Sequence, residues 1–238
     1  MGAWLHPLYT LAHAGILYWL VQTWRTSPRP GIRCAAAITA LTTAGLVYDN
    51  GIISLGAAIG LGDTLALLSY PRYVLHALVT PMMIFAMVQI AGAGDIGFAN
   101  RPTVRGSAAA LAILMIPVGI YEDLVGLELH PACFQGVVRY STRVAEAALC
   151  SPDQAVVAAG GGPPIPSVTA VLVVLILGAM LWRQRRWPWA FLAGLVMLIG
   201  AAFPASRFGL LPGNGAEVVF VAGYAASAAR FARVRSVD

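Results

Sequence analysis

The sequence predicts an all-α membrane protein of seven transmembrane helices, and both its composition and its long apolar runs favour that fold class. Of 238 residues, 59% are hydrophobic and only 11% are charged, whereas a soluble domain typically has about 25% charged residues. Several apolar runs approach the roughly 20 residues that a helix needs to cross a bilayer. We therefore expect residues 1–238 to form a single integral-membrane helical bundle.

The seven predicted spans are separated by short connections, apart from one long outer loop at residues 127–164. They cover residues 4–24, 32–55, 71–91, 107–125, 166–182, 187–205 and 215–231. No basic residue precedes the first span, so we expect it to remain in the protein and not to be cleaved as a signal peptide. Cys133 and Cys150 share the outer loop, where an oxidising compartment allows a disulfide; the alternative is two free thiols.

The distribution of arginine predicts the orientation of the spans, since the sequence contains no lysine and arginine is its only strongly basic residue. Eleven arginines lie in one set of connections, namely Arg25, Arg29, Arg33, Arg101, Arg105, Arg183, Arg185, Arg186, Arg230, Arg233 and Arg235. The opposite set holds four, which are Arg72, Arg139, Arg143 and Arg207. Because cytoplasmic loops carry the arginine excess, we expect a multi-pass protein of the cell membrane with its N-terminus outside and its C-terminus inside.

The same charge pattern excludes two kinds of function. The net charge of +5 belongs mainly to loops beside the membrane, so it does not indicate a nucleic-acid partner. The absence of lysine excludes a retinal-type pigment, and equally any enzyme that forms an imine with a lysine amine.

Acidic and histidine side chains gather on the predicted outer side. Eight of the ten acidic residues fall there, namely Asp49, Asp63, Glu122, Asp123, Glu128, Glu146, Asp153 and Glu217, whereas Asp95 and Asp238 are inside. All four histidines, which are His6, His13, His76 and His130, fall on the outer side too. Ionisable groups within apolar spans are costly, so a functional role is the first hypothesis for those that lie there.

The stretch GLVYDNG places Tyr48, Asp49 and Asn50 near the outer end of the second span. Asn50-Gly51 is a turn signal, so Asp49 is either a helix end in the headgroup region or a carboxyl group covered by protein. The apolar residues that follow, IISLGAAIGLG, favour the covered carboxyl group. Within them, Gly56 and Gly60 form a GxxxG pattern, which indicates close helix packing.

The stretch PRYVLHALVTP places Arg72, Tyr73, His76 and Thr80 on one helical face. Such a face can orient an anion or a catalytic carboxylate. The alternative is that Arg72 reaches a lipid phosphate and that His76 bonds to a neighbouring helix.

Two further acidic stretches lie at the outer ends of the fourth and last spans. In IYEDLVG, Tyr121, Glu122 and Asp123 are adjacent, and only one of the two carboxyl groups can face the bundle centre squarely. In GNGAEV, Asn214 and Glu217 have the spacing of a helix capping box. The alternative is that Glu217 is a second acid in a helix beside the second span.

The histidines do not predict a metal site. His6 and His13 are two turns apart on one face of the first span, on the order of 10 Å along the axis, which is too far to share one ion. His76 is a possible third ligand, but no motif supports it. We therefore predict no metal ligand and no cofactor.

The one-sided polar groups favour an enzyme that acts on a lipophilic small molecule, in contact with membrane lipid. Its predicted catalytic residues are Asp49, Glu217, His76 and Glu122, and its predicted substrate-binding residues are Tyr48, Asn50, Arg72, Tyr73, Tyr121 and Asn214. Asp49 is the predicted proton donor, oriented by Asn50, because burial keeps a carboxyl group protonated. The alternatives are a small transporter or channel with an outward-facing polar site, or a metal-dependent lipid-modifying enzyme. The oligomeric state stays open.

In length, number of spans and the positions of Asp49 and Glu217, the chain resembles the compact integral-membrane terpene cyclases of meroterpenoid and indole-terpenoid pathways. Those enzymes are thought to use one acid after the second helix and another in the last. The resemblance implies acid-initiated cyclisation of an isoprenoid-like substrate. The stretches YDNG, PRYVLHALVTP and GGGPPIP also resemble an uncharacterised group of bacterial and plastid membrane proteins.

Overall fold

The computed structural model describes residues 2–157, 164–203 and 208–233, which are mainly helical, as predicted. The helices are α1 (Gly2–Thr26), α2 (Pro30–Ile59), α3 (Asp63–Val79), α4 (Met82–Ala93), α5 (Pro102–Leu124), α6 (Ile165–Arg185), α7 (Trp189–Ala202) and α8 (Leu211–Ala232). Two short 3-10 helices cover Gly97–Asn100 and Glu146–Ala148. Several predicted features lie outside the described residues: Arg207, Arg235, Asp238, the end of the sixth span and the first part of GGGPPIP.

Three of these helices, α2, α5 and α6, are long and apolar enough to cross a membrane. A fourth crossing is available if α3 and α4 are counted together, although they are bent by 46°. The first and last predicted spans form helices of sufficient length, but their mean hydropathy is lower because polar side chains lie along them. The sixth, α7, is a shorter apolar helix.

The alternative in which the helix ends at Asn50-Gly51 is wrong, because α2 continues through these residues to Ile59. The Asn50 side chain is buried, and its Nδ2 donates to the carbonyl of Leu46 one turn earlier. An asparagine that is satisfied inside a helix no longer competes with the helical backbone. The helix ends instead at Gly60, whose φ of 81° suits glycine.

The third predicted span begins eight residues too late and is not one straight helix. The helix α3 begins at Asp63, and Thr80 and Pro81 separate it from α4. Pro81 has no N–H to continue the α3 hydrogen bonds. After the bend, α4 runs through the centre of the bundle, packed against α2, α5, α6 and α8. Its side chains, such as Met83, Met87 and Ile90, are almost completely buried.

The predicted outer loop contains a β-hairpin, so the fold is not purely α-helical. Strands β1 (His130–Phe134) and β2 (Val137–Ser141) pair antiparallel. The turn consists of Gln135 and Gly136, both with positive φ, as two-residue hairpins prefer. The predicted disulfide is confirmed: Cys133 in β1 is bonded to Cys150, with a Cα–Cα distance of 4.9 Å.

The hairpin lies across the ends of the helices and contacts α2 closely. A side chain at Gly56 would overlap the backbone carbonyl of Val138 in β2. The helix-packing interpretation of the GxxxG pattern is therefore wrong, because Gly56 admits a strand and Gly60 ends the helix. The Nη1 of Arg72 also donates to the carbonyl of Tyr140 at 3.1 Å, which fixes β2 above α3.

At the opposite end of the bundle, arginine side chains bind the carbonyls that end α4. Arg29 Nη1 donates to the carbonyl of Ala93 at 2.7 Å, and Arg185 Nε donates to that of Gly94 at 2.7 Å. Arg185 also pairs with Asp95 at 2.8 Å. Cations stabilise helix C-termini because the last carbonyls carry partial negative charge. We call this region the arginine end.

Candidate functional site

A cavity of about 740 Å³ lies at the other end of the bundle, beneath the hairpin. Its walls come from α2, α3, α5, α8 and both strands. Among the described residues, ten acidic, arginine or histidine side chains line it, namely Asp49, Arg72, His76, Glu122, Asp123, Glu128, His130, Arg139, Arg143 and Glu217. All four predicted catalytic residues are among them. We call this region the cavity end.

Asp49 forms a largely buried ion pair with Arg72 in this cavity. The Nε of Arg72 donates to Oδ1 of Asp49, and the two side chains are 6% and 21% exposed. Arg72 therefore contacts a carboxylate and does not need a lipid phosphate as its partner. The helices α2 and α3 pack together, and this pair connects them. A carboxylate bound to a guanidinium acts as a fixed anion or a base, because protonation would leave the buried arginine unpaired.

Glu217 lines the same cavity in different surroundings. It lies in α8, which packs against α2, and its carboxyl group is close enough to Asp49 and Arg72 for their charges to interact. Among the described residues, however, no donor forms a hydrogen bond with it. The capping-box interpretation is wrong, since α8 begins at Leu211 and Asn214 is buried within the helix. A carboxyl group near another carboxylate, without a bound cation, is suited to carry a proton.

A buried polar cluster joins three helices beside the cavity. The Oδ1 of Asn50 accepts from Nδ2 of Asn214 at 3.0 Å, and Nδ1 of His6 lies 3.1 Å from the same oxygen. Since this oxygen is only an acceptor, the His6 contact requires the proton on Nδ1. The cluster fixes α1 and α8 against α2. His6 is therefore buried between these helices.

The expected role of Asn50 is corrected by this cluster. Asn50 was predicted to bind substrate and to orient Asp49, but it does not line the cavity and its amide is used by Leu46 and Asn214. Adjacent helical residues point about 100° apart, so Asn50 faces α1 and α8 while Asp49 faces α3. Asn214 does line the cavity, with its Nδ2 already bonded.

His76 and Glu122 line the cavity and also bind a neighbouring helix. The Nε2 of His76 is 3.1 Å from Oγ of Ser167 in α6, as the alternative interpretation expected. Oε2 of Glu122 accepts from the N–H of Ile165 at 3.0 Å, in the first turn of α6. A carboxylate at this position stabilises the helix N-terminus. Asp123 is more buried than Glu122 and interacts with the charge of His76.

The predicted aromatic wall is present only in part. Tyr73 lines the cavity, and the Arg72 guanidinium is 5.6 Å from its ring centroid. Tyr48 does not line it; its hydroxyl donates to the carbonyl of Leu68 at 2.8 Å. Tyr121 is 71% exposed and also lies outside the lining. Neither of these two tyrosines therefore reaches the cavity that Asp49 and Glu122 line.

Arg139 in β2 is one of the charged or histidine lining residues that the predicted site did not include; the others are Asp123, Glu128, His130 and Arg143. Arg139 is 8% exposed, and its side chain forms no hydrogen bond with the described residues. Burial and the nearby Arg72 charge lower the pKa of Arg139 to about 10, so it remains a cation at neutral pH. In β2, Val137, Arg139 and Ser141 form the buried face of the strand, and the sequence carries only the Gln135-Gly136 turn as a signal for it.

Within the described ranges, no group of three or more His, Cys, Asp or Glu side chains is arranged to hold a metal ion. His13 is fully buried in α1, two turns from His6. Comparison of the chain with protein-family models, with curated proteins and with solved structures found no match. The fold and the site therefore define a mainly helical protein with a charged cavity at one end and with three helices, or four if α3 and α4 are one span, that are long and apolar enough to cross a membrane.

Proposed function

We propose that this protein is an integral-membrane enzyme that performs acid–base chemistry on a lipophilic substrate. The observation that carries the proposal is that Asp49 and Glu217 share one cavity but have unequal partners. Carboxyl groups in unequal surroundings divide the roles of acid and base. Glu217 is the proton donor, and the Asp49–Arg72 pair supplies the anion that stabilises positive charge on the substrate.

The proposed reaction class is acid-initiated cyclisation of an isoprenoid-like substrate, in line with the resemblance to integral-membrane terpene cyclases. The proton comes from Glu217 in the last helix and not from Asp49. The cavity also has apolar wall residues, including Leu46, Leu75 and Leu127, beside its charged ones. This mixture favours an amphiphilic substrate with one polar end over a pure hydrocarbon.

The proposed topology is seven membrane spans in the cell membrane, with the N-terminus and the cavity outside. Large apolar side chains are exposed along the helices, for example Trp4 at 79%, Leu11 at 69% and Ile176 at 61%, as a lipid-facing surface requires. In α1 and α8 the polar residues that lower the hydropathy, such as His13 and Asn214, are buried against neighbouring helices. The arginine excess at the opposite end supports the orientation.

The packed centre of the bundle favours an enzyme over a transporter or channel. Beyond the cavity, α4 fills the centre with buried apolar side chains such as Met87 and Ile90. The hydroxyl of Tyr224 donates to the carbonyl of Met83 at 3.0 Å and joins α8 to α4 there. A transport pathway needs polar groups that continue across the membrane, whereas here the centre between the two charged ends is packed with apolar side chains.

The test compares membrane lipids from cells that produce the wild-type protein, Glu217→Gln or Glu146→Gln. Glu146 is exposed outside the cavity lining, so it provides a matched control for the same substitution. We expect one lipophilic species to be converted by the wild type and by the control, at a rate at least about 100-fold higher than by Glu217→Gln. Equal conversion by Glu217→Gln would overturn the proposed role of Glu217.

A further inference from the structure

Arg139 and Arg72 bring two guanidinium groups together in a corner of the cavity that has too few acceptors for them. The five N–H donors of Arg139 have no hydrogen-bond acceptor among the described residues. Arg72 uses Nε for Asp49 and Nη1 for the carbonyl of Tyr140, and no residue in the described part of the chain accepts from its Nη2. Each arginine is 8% exposed, so both guanidinium groups are largely removed from bulk water.

The charges in this corner do not cancel. Within the described ranges, Asp49 is the only carboxylate that forms an ion pair with either arginine, so the two guanidinium groups share one bound anion. Arg139 also lies near enough to Arg72 for their charges to repel, and this repulsion adds to burial in lowering the pKa of Arg139. Burying an unpaired charge is strongly unfavourable. A bound anion that bridges the two guanidinium groups would remove that cost.

We propose that Arg139, together with Arg72, binds a phosphate group carried by the amphiphile that occupies the cavity. A carboxylate has two oxygens, whereas a phosphate ester presents three or four oxygens, which better match the number of free N–H donors. Guanidinium groups bind phosphate through paired hydrogen bonds. The cavity, at about 740 Å³, has room for a phosphorylated headgroup.

The inference deepens the proposed function, because it assigns a substrate class to the same cavity. A lipid phosphate would place its charged group at Arg139, on the hairpin side, with its apolar chain along the leucine-lined wall. Ester phosphates of membrane lipids and free phosphate share this chemistry. The experiment therefore has to separate these two sources, and it has to measure binding without relying on turnover.

The test uses the purified full chain in detergent micelles that contain no phospholipid. The probes are dihexanoyl phosphatidic acid, dihexanoylglycerol as the same lipid without phosphate, and inorganic phosphate. Binding is measured by the shift of the thermal unfolding midpoint and, for the two phosphate probes, by phosphorus NMR titration. The variants are Arg139→Gln and Arg139→Lys, with Arg183→Gln as a matched control at an exposed arginine of the arginine end.

We expect the wild type and Arg183→Gln to bind phosphatidic acid and to ignore dihexanoylglycerol. Loss of charge-assisted hydrogen bonds should weaken binding by Arg139→Gln at least about tenfold, with Arg139→Lys in between. Competition by inorganic phosphate would assign the site to the phosphate group itself, and binding of phosphatidic acid alone would assign it to a lipid. Equal binding of both lipids, or an unchanged affinity in folded Arg139→Gln, would overturn the proposal.

Two controls keep the outcomes separate. If Arg139→Gln does not fold, the comparison of phosphatidic acid with dihexanoylglycerol in the wild type still decides the question. Glu217→Gln removes a carboxyl group from the cavity and should bind phosphatidic acid at least as tightly as the wild type. Binding by Glu217→Gln without any lipid conversion by the wild type would contradict only the enzymatic proposal, and conversion without phosphate binding would contradict only this inference.

Discussion

The two ends of this bundle use the same residue types in opposite ways. At the arginine end, Arg29 and Arg185 bind carbonyls that end α4, and Asp95 is an exposed partner. At the cavity end, Arg72 and Asp49 form a pair that is largely removed from water. The difference shows that the importance of an ionic contact depends on its burial together with its number of partners.

The two ends should differ in the stability that is lost when one charged partner is removed. Exposed ion pairs contribute little because water screens them, typically about 0–1 kcal/mol. A buried pair contributes little net stability when intact, but removal of one partner leaves an uncompensated charge and costs about 3–5 kcal/mol. The arginine end should therefore tolerate substitution, whereas the cavity end should not.

The largest expected effect is the loss of stability on replacing the cavity-end aspartate with asparagine, compared with the same replacement at the arginine end. Asp49→Asn leaves Arg72 buried without its anion and should lower the free energy of unfolding by about 3–5 kcal/mol. Asp95→Asn removes a partner that is 61% exposed and should cost at most about 1 kcal/mol. Unfolding equilibria in mixed detergent micelles measure both values.

A double variant checks the physical reason for that loss. Asp49→Asn with Arg72→Met removes both charges and should recover a large part of the stability lost in Asp49→Asn alone. If Asp49→Asn and Asp95→Asn had equal and small effects, the ion pair at the cavity end would not be buried, and the contrast between the two ends would fail.

The disulfide should matter next, because it ties the hairpin above the cavity. Cys133 and Cys150 close a loop with a sequence separation of 17, and removal of such a bond costs about 3 kcal/mol in the chain-entropy model. We expect Cys133→Ser with Cys150→Ser to lower the thermal midpoint and to expose the hairpin to limited proteolysis. Cys34→Ser, a free cysteine near the arginine end, is the control and should leave both readouts at wild-type values.

The smallest expected effect concerns a single methyl group at each end. Gly56→Ala would overlap the carbonyl of Val138, so the hairpin must shift at a cost of about 1–3 kcal/mol. A methyl group added at Gly106 in α5 would meet open space, so Gly106→Ala should stabilise the helix by about 0.5–1 kcal/mol. Thermal unfolding of the two variants should therefore move in opposite directions; a shift in the same direction would show that β2 does not rest on α2.

The sequence was sufficient to predict the helices and the end at which polar groups gather, because apolar length and charge position depend on local composition. The same information predicted the lining residues Asp49, Arg72, Tyr73 and Glu217. The surroundings of Asn50 could not be predicted in this way. A turn signal is present there, but hydrogen bonds from His6 and Asn214 hold the side chain inside the bundle. Those partners are 44 and 164 positions away, respectively, and no local pattern announces them.

The hairpin was missed for a similar reason. Its strands have five residues each, and its inward-facing arginine resembles an ordinary loop cation until the strand's position against α2 and α3 is known. The division of roles between Asp49 and Glu217 also depends on which carboxyl group receives the guanidinium. The packing of α3 against α2 determines which carboxyl group pairs with Arg72, and the position of either acid in the sequence does not.

The most direct test of the account is the rate at which purified protein converts the lipophilic species identified in producing cells. Rates are measured for the wild type, Glu217→Asp, Glu217→Gln and the control Glu146→Gln. If Glu217 donates the proton, Glu217→Gln should lose at least about 100-fold in rate, whereas Glu217→Asp keeps a carboxyl group and retains measurable turnover. A Glu217→Gln enzyme with the wild-type rate would contradict the claim that the cavity end is an acid–base site.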